Sequence, residues 1–247
     1  MIMILGSTHD DILYFESVMV NKKEDLILNK YKVQMGTIFN QEVILVWDIY
    51  TCYESSLVAS YIIEKYFVIL TFVVGKCIAF SSNLKGGDLA ISRRVLLGDV
   101  NQVKEANVKL GQIPNFPHSY ESDPEVVKYL IEAVEKRCFS KYESCAFISS
   151  NTILDTREKI KYIEMGGYVL GHNNNIAFDC TSGGVAIASH LHKVPFISMK
   201  VVERGIDESY STNSYIRVLK QYSDVGKAIV TCIGDIGRNY VITGGGN

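Results

Sequence analysis

Two periods of apolar residues alternate along this chain. Residues 1–5 form a short apolar run that reads as a strand. Gly6-Ser7-Thr8 reads as a turn, and residues 10–19 as a helix whose acidic first turn suits the helix dipole. The β-rich segments 31–39 and 42–47, separated by Asn40-Gln41, predict a hairpin. Residues 54–66 take helical spacing, with Leu57, Ala59, Ile62 and Ile63 on one face. The continuous apolar run 67–74 is what a central strand covered on both sides requires. Further on, Gly86-Gly87 precedes a strand at 88–96, Pro124 opens a helix running to Cys138, and residues 146–149 read as a short strand. Residues 156–165 and 210–233 are expected as helices, the second a long closing one.

The stretch 173–207 organises the rest. A strand at 176–180, a helix of small residues at 182–192 and a second strand at 196–202 make a βαβ unit, ending in the cluster Glu203-Arg204-Gly205-Ile206-Asp207. In open α/β sheets ligands collect at the carboxyl ends of such strands, so chemistry is expected at that cluster and at the Asp179-Cys180-Thr181 corner. The polar stretch 98–123 is longer than an ordinary connection and reads as a lid or interface loop. No repeat, low-complexity block or linker divides the chain. One domain over 1–247 is expected, with 240–247 as a loose tail.

Composition narrows the partners. With 247 residues, 47% of them hydrophobic and 21% charged, the chain can bury a sizeable core. A formal charge of −2 and a pI near 6.2 provide no basic field, which argues against nucleic acid. Cysteines 52, 77, 138, 145, 180 and 232 have no metal-ligand spacing and read as small core residues in a reducing cytoplasm. The apolar start is too short for a targeting signal, and Glu64 and Lys65 interrupt the most apolar segment, so no membrane partner is expected. His190 and His192, two apart on a helix, do not share a face. His9 beside Asp10 and Asp11 reads as a base or ligand, or more simply as a surface residue at a helix start.

Four landmarks recur in a fixed order: Leu5-Gly6 with Asp10-Asp11, Leu84-Lys85-Gly86-Gly87-Asp88 before a strand, Gly111-Gln112-Ile113-Pro114, and Val185-Ala186-Ile187-Ala188 with Val194-Pro195-Phe196. Their joint spacing, over nearly the whole chain, resembles the 5′-methylthioadenosine/S-adenosylhomocysteine nucleosidases of the purine nucleoside phosphorylase superfamily. The resemblance implies a three-layer α/β/α sandwich around a mixed, partly closed sheet. It also implies a homodimer whose long middle loop, His118 included, helps close the neighbour's pocket. The implied ligand is a small nucleoside, and the implied reaction is hydrolysis of an adenine–ribose bond without cofactor or metal. Such a reaction needs a carboxylate to activate water, stabilisation of the departing purine at N7, and an acceptor for the ribose hydroxyls.

Carried over by position, the water-activating glutamate becomes Asp11, one methylene shorter; a dipole-complementing acid in a first turn is the competing reading. The family's Glu-Met-Glu run becomes Asp179-Cys180-Thr181. Thr181 then stands at the ribose grip, where a hydroxyl cannot give a charged bidentate hold. The Arg-Ala-Ile-Ser-Asp run becomes Lys200-Val201-Val202-Glu203-Arg204, so Arg204 holds the purine-side position. A shift that brings in Glu203 or Asp207 would restore a carboxylate there, although one step along a strand turns a side chain to the other face. A glycine-rich run becomes 73–79, which keeps Gly75 and gains Lys76, and an adenine-contacting Phe-Ile pair becomes Ile153-Leu154.

The candidates are therefore Asp11 and Glu203 for catalysis, and Lys76, Ile153, Leu154, Asp179, Cys180, Thr181 and Arg204 for substrate. Lys76, Lys200 and Arg204 either gather as an electropositive mouth or pair with Asp179 and Glu203. A phosphorylase would need a backbone cradle for phosphate, and neither the Gly6 turn nor the Gly75 region supplies a convincing one. The departures concentrate in the pocket while the scaffold landmarks survive. Two readings follow: a nucleosidase with weak or altered activity, or a non-catalytic member that binds a nucleoside-like or anionic ligand or pairs with an active relative.

Overall fold

One long apolar strand carries the architecture. The computed structural model describes residues 1–80, 83–138, 140–152, 175–205 and 212–239. In it β5 (Leu70–Phe80) pairs in parallel along one edge with β10 (Phe196–Gly205). Along its other edge β5 takes two partners in succession. β1 (Ile2–Leu5) lies parallel to Leu70 through Val73, and β9 (Asn175–Asp179) antiparallel to Ile78 through Phe80. Residues 74–77 on that edge face neither strand. Because β1 and β9 run in opposite senses, both end at this gap, the kind of break in strand order where α/β sheets bind ligands.

The sheet is mixed and partly closed. β10 also pairs antiparallel with β6 (Leu89–Leu97), β6 parallel with β8 (Tyr142–Ser149), and β8 parallel with β9, so five strands close a ring through β5. β1, β4 (Gln41–Val46), β3 (Tyr31–Ile38) and β2 (Val20–Ile27) extend from β5 as an open wing. A two-residue β7 (Tyr120–Glu121) pairs with β6.

Period-2 alternation divides the core. Ile2, Ile4, Phe72, Ile197 and Met199 face α1 (Leu13–Val18), α4 (Pro124–Arg137) and α6 (Thr212–Asn239), while Met3, Leu5, Val73 and Phe196 face α2 (Cys52–Tyr66) and α5 (Ser182–His192). This gives the expected three layers. Local chemistry sets the boundaries. Thr51 caps α2 by accepting from Glu54 N–H, and Asp123 caps α4 by accepting from Glu125 and Val126, with Pro124 in the first turn. Phe39 and Asn40, both at positive φ, make the tight turn between β3 and β4.

Three expectations change, and one strand, β2, was not anticipated. The helix at 10–19 is a 3-10 turn, His9–Asp11, followed by α1. The strand expected at 67–74 begins at Leu70, because Phe67 is the left-handed cap of α2, and it continues to Phe80 along β10. β2, rich in Lys, Glu and Asp, has no alternating apolar face because it is an exposed edge strand. The strands flanking α5 are not a parallel βαβ pair: β9 and β10 lie on opposite edges of β5 and run in opposite senses. The long loop contains a short helix, α3 (Val103–Ala106). The helix expected at 156–165 and the tail lie outside the described residues. Among the described residues no helix is long and apolar enough to cross a membrane.

Helices α2 and α5 touch through glycine. A Cβ on Gly184 would be driven into the Cys52 carbonyl and the Ser55 hydroxyl, and that hydroxyl donates to the Thr181 carbonyl at 2.8 Å. This approach fixes the start of α5. Gly184→Ala is expected to cost about 3 kcal/mol by overpacking. Gly237→Ala, on the exposed side of α6 against the flexible Gln41 amide, should be neutral or stabilising by up to about 1 kcal/mol. Urea denaturation of both variants checks the contrast.

Candidate active site

The gap beside residues 74–77 opens into a cavity of about 300 Å³. Its polar end is built by Ser7 after β1, Lys76 on β5, Asp179 at the end of β9, and Lys200 and Glu203 on β10. Its apolar end is built by Ile78, Ile148 and Phe178, the last packed edge-on against Phe80 at 6.4 Å between ring centroids. An amphipathic ligand with a flat apolar part fits such a division.

Lys200 is the most demanding residue present. Its side chain is 1% exposed, and its ammonium lies 2.8 Å from Asp179 Oδ2 and donates to Thr181 Oγ1 at 2.7 Å. Asp179 Oδ2 also accepts the Ser182 N–H at 2.9 Å and the Ser182 hydroxyl at 2.6 Å, which ties the pair to the first turn of α5. Burial alone would raise the Asp179 pKa. The Lys200 charge and the hydrogen bonds from Lys200, Ser182 and Ser149 outweigh it and hold the carboxyl below its ordinary value. Asp179 Oδ1 is buried without a well-formed hydrogen bond.

Asp11 stands behind Gly75. Gly75 has φ +135°, and a Cβ there would lie 3.1 Å from Ser7 Oγ, 3.2 Å from Asp11 Oδ2 and 3.6 Å from Lys200 Nζ. A hydroxyl, a carboxylate and an ammonium therefore converge on one bare stretch of backbone. Asp11 Oδ2 accepts the Thr8 N–H at 2.8 Å, while Oδ1 is buried without a well-formed hydrogen bond. The Tyr222 phenol of α6 stands against this acid. Burial, and after it the Asp11 charge, pushes its pKa far up, so Tyr222 stays a neutral donor.

A bulge brings Glu203 into the cavity. β10 pairs Val202 with Cys77 and then Arg204 with Ile78, which leaves Glu203 as the extra residue. Its carboxylate meets Lys76 Nζ at 2.8 Å, both side chains partly exposed. Cys180 also lines the cavity, whereas Arg204 is not among the lining residues. Thr181 is buried, its hydroxyl engaged with Lys200 and Asp179. Ile153, Leu154 and Asp207 lie outside the described residues. Of the alternatives open for the cations, ion pairing is what the structure contains: Lys200 with Asp179 and Lys76 with Glu203.

The described histidines lie elsewhere. His9 pairs with Glu16 at 3.0 Å and sits over Trp47, His118 contacts the Leu110 carbonyl, and His192 contacts Ser60. Sequence reasoning missed Tyr222 and Phe178. The available signal for Tyr222 was a tyrosine on the apolar stripe of a helix, whose hydroxyl needs a polar partner. Phe178 gave none, since in a continuous apolar strand nothing separates a pocket wall from core.

Comparison with known proteins agrees with this fold. A family model for the phosphorylase superfamily matches residues 7–233, and the chain belongs to that superfamily. Within it, the chain is similar to the 5′-methylthioadenosine/S-adenosylhomocysteine nucleosidase of Staphylococcus epidermidis, 22% identical over 82% of this chain and 85% of that protein. The nucleosidase of Campylobacter jejuni superposes with a TM-score of 0.84 at 18% identity, covering 95% of this chain and 98% of that one. That of Neisseria meningitidis, solved with methylthio-immucillin-A, superposes with a TM-score of 0.82 at 16% identity over the same shares.

Removing one member of the buried pair strands the other. Lys200→Met and Asp179→Asn are each expected to cost about 3–5 kcal/mol, and the double variant less than the sum. The Asp179 pKa is depressed in the folded state. Its stabilisation is therefore complete above the ordinary value of 3.8 and is lost as pH falls through the lower folded value. Urea unfolding from neutral pH to about pH 2 should show a shallower acid decline in Asp179→Asn than in the parent. An unchanged decline would assign the acid sensitivity to other carboxylates.

Proposed function

We propose that this protein hydrolyses the N-glycosidic bond of an adenine nucleoside thioether of the methylthioadenosine or S-adenosylhomocysteine type. One observation carries the reading: Asp179 and Glu203, the latter raised on its bulge, are two carboxylates lining one cavity that also has an aromatic wall, and a third, Asp11, lies next to Gly75 beside it. Asp11 Oδ1 takes a proton from water as it attacks the anomeric carbon. Asp179 Oδ1 accepts a ribose hydroxyl, a role that Thr181 cannot take while its own hydroxyl is engaged. Phe178 packs on the base and Glu203 accepts from its exocyclic amine. The names of the relatives support this substrate class.

The same reading includes a homodimer of one-domain subunits in a reducing cytoplasm. Tyr50, Tyr53 and Leu57 form an exposed apolar stripe along the start of α2, and Tyr50 is also a wall of the cavity, so a second copy seated there would shield the mouth. The engagement of Asp11 Oδ2 by Thr8 and of Thr181 by Lys200 favours the second reading, a binder that has lost turnover.

Adenine release from methylthioadenosine and S-adenosylhomocysteine, followed by chromatography, separates the two. Release is expected, falling about 100- to 10,000-fold in Asp11→Asn. No release at protein levels where a working nucleosidase finishes quickly, combined with calorimetric binding of the same nucleosides, would establish the binder instead.

A further inference from the structure

Lys76 and Glu203 form a donor and an acceptor side by side at the cavity wall. Lys76 follows Gly75 directly on the stretch of β5 that faces neither β1 nor β9, and its ammonium is 2.8 Å from Glu203 Oε1. The bulge after Val202 is what allows this pairing across β5 and β10. An ammonium only donates, and a carboxylate held in an ion pair only accepts. The pair is thus the complement of a base edge that presents an acceptor next to a donor, as adenine does with N7 and its 6-amino group. Glu203, so held, serves as the acceptor of the pair. Lys200, the other ammonium among the described lining residues, is 1% exposed and directed to Asp179 and Thr181.

We propose that Lys76, and not a carboxylic acid, is the donor to the leaving base; this rests on the nucleosidase reading above. Its ammonium hydrogen-bonds to N7, and Glu203 accepts from the 6-amino group. As the water oxygen bonds to the anomeric carbon, the bond from that carbon to N9 breaks and its electron pair passes into the purine ring. The Lys76 proton goes to N7, and a proton of the attacking water goes to Asp11. The products are the purine and the free sugar. The cycle closes when the Asp11 proton returns through solvent to Lys76, so one water is consumed and no other reactant is needed.

The test uses adenine and 7-deazaadenine, in which N7 is replaced by C–H, with calorimetry on the parent, Lys76→Met and Lys76→Arg. The Lys76 side chain is a third exposed, so these variants should fold, and thermal melting checks that they do. The parent should bind adenine about tenfold or more tighter than 7-deazaadenine, a charge-assisted hydrogen bond being at stake. Lys76→Met should erase the difference and Lys76→Arg should keep part of it. In turnover, Lys76→Met should slow adenine release about 100-fold and leave nearly untouched a nitrophenyl glycoside of the same sugar, whose leaving group needs no proton. Adenine preference that persists in Lys76→Met, or its absence in the parent, would overturn the assignment while the nucleosidase reading stood. Failure to bind adenine at all would overturn both.

Discussion

A buried ammonium must find a carboxylate, and here Lys200 on β10 finds Asp179 at the end of β9, both side chains 1% exposed. The two strands lie on opposite edges of β5, so the pair reaches across the place where the sheet changes partners. Asp179 in turn holds Ser182 at the start of α5, and Ser182 accepts from Ser198 back on β10. Ser198 N–H meets Ser92 on β6, whose hydroxyl meets Ser122. An ion pair and a chain of hydroxyls therefore fix the geometry of an otherwise apolar interior. Taking away either charge leaves the other with no solvent to turn to.

The cavity follows from that constraint. With β1 and β9 both ending beside the stretch of β5 that faces neither of them, Ser7, Lys76, Asp179, Lys200 and Glu203 line one cavity, and Asp11 lies next to Gly75. Asp11 Oδ1 and Asp179 Oδ1 are both buried without a well-formed hydrogen bond, one on the turn after the first strand and one at the end of β9. Glu203 sits on a bulge of β10 and pairs there with Lys76.

The scaffold was legible because its signals were redundant. Period-2 apolar strands, helical faces, the Asp123-Pro124 helix start and the order of glycine landmarks all agree with one three-layer fold. β2 was not legible, since an exposed edge strand of Lys, Glu and Asp offers no apolar alternation. The antiparallel relation of β9 and β10 was hidden because two strands around a helix look alike in sequence whether their sheet is open or closes through a third strand. At the site, residue types were readable and their partners were not. Glu203 depended on a bulge that alternation cannot foretell, and Tyr222 arrives from a helix far along the chain. Lys200 showed itself as a charge within an apolar strand, which required a partner without naming Asp179 over Glu203.

The most direct measurement is a crystal structure with a 5′-methylthio C-nucleoside of adenine type, whose carbon link between base and sugar cannot be hydrolysed. The account predicts the base edge on Lys76 and Glu203, its face on Phe178, a ribose hydroxyl on Asp179 Oδ1, and the anomeric carbon facing Asp11. A ligand seated with its base away from Lys76 and Glu203, or outside this cavity, would contradict the claim that the relocated charges form one nucleoside site.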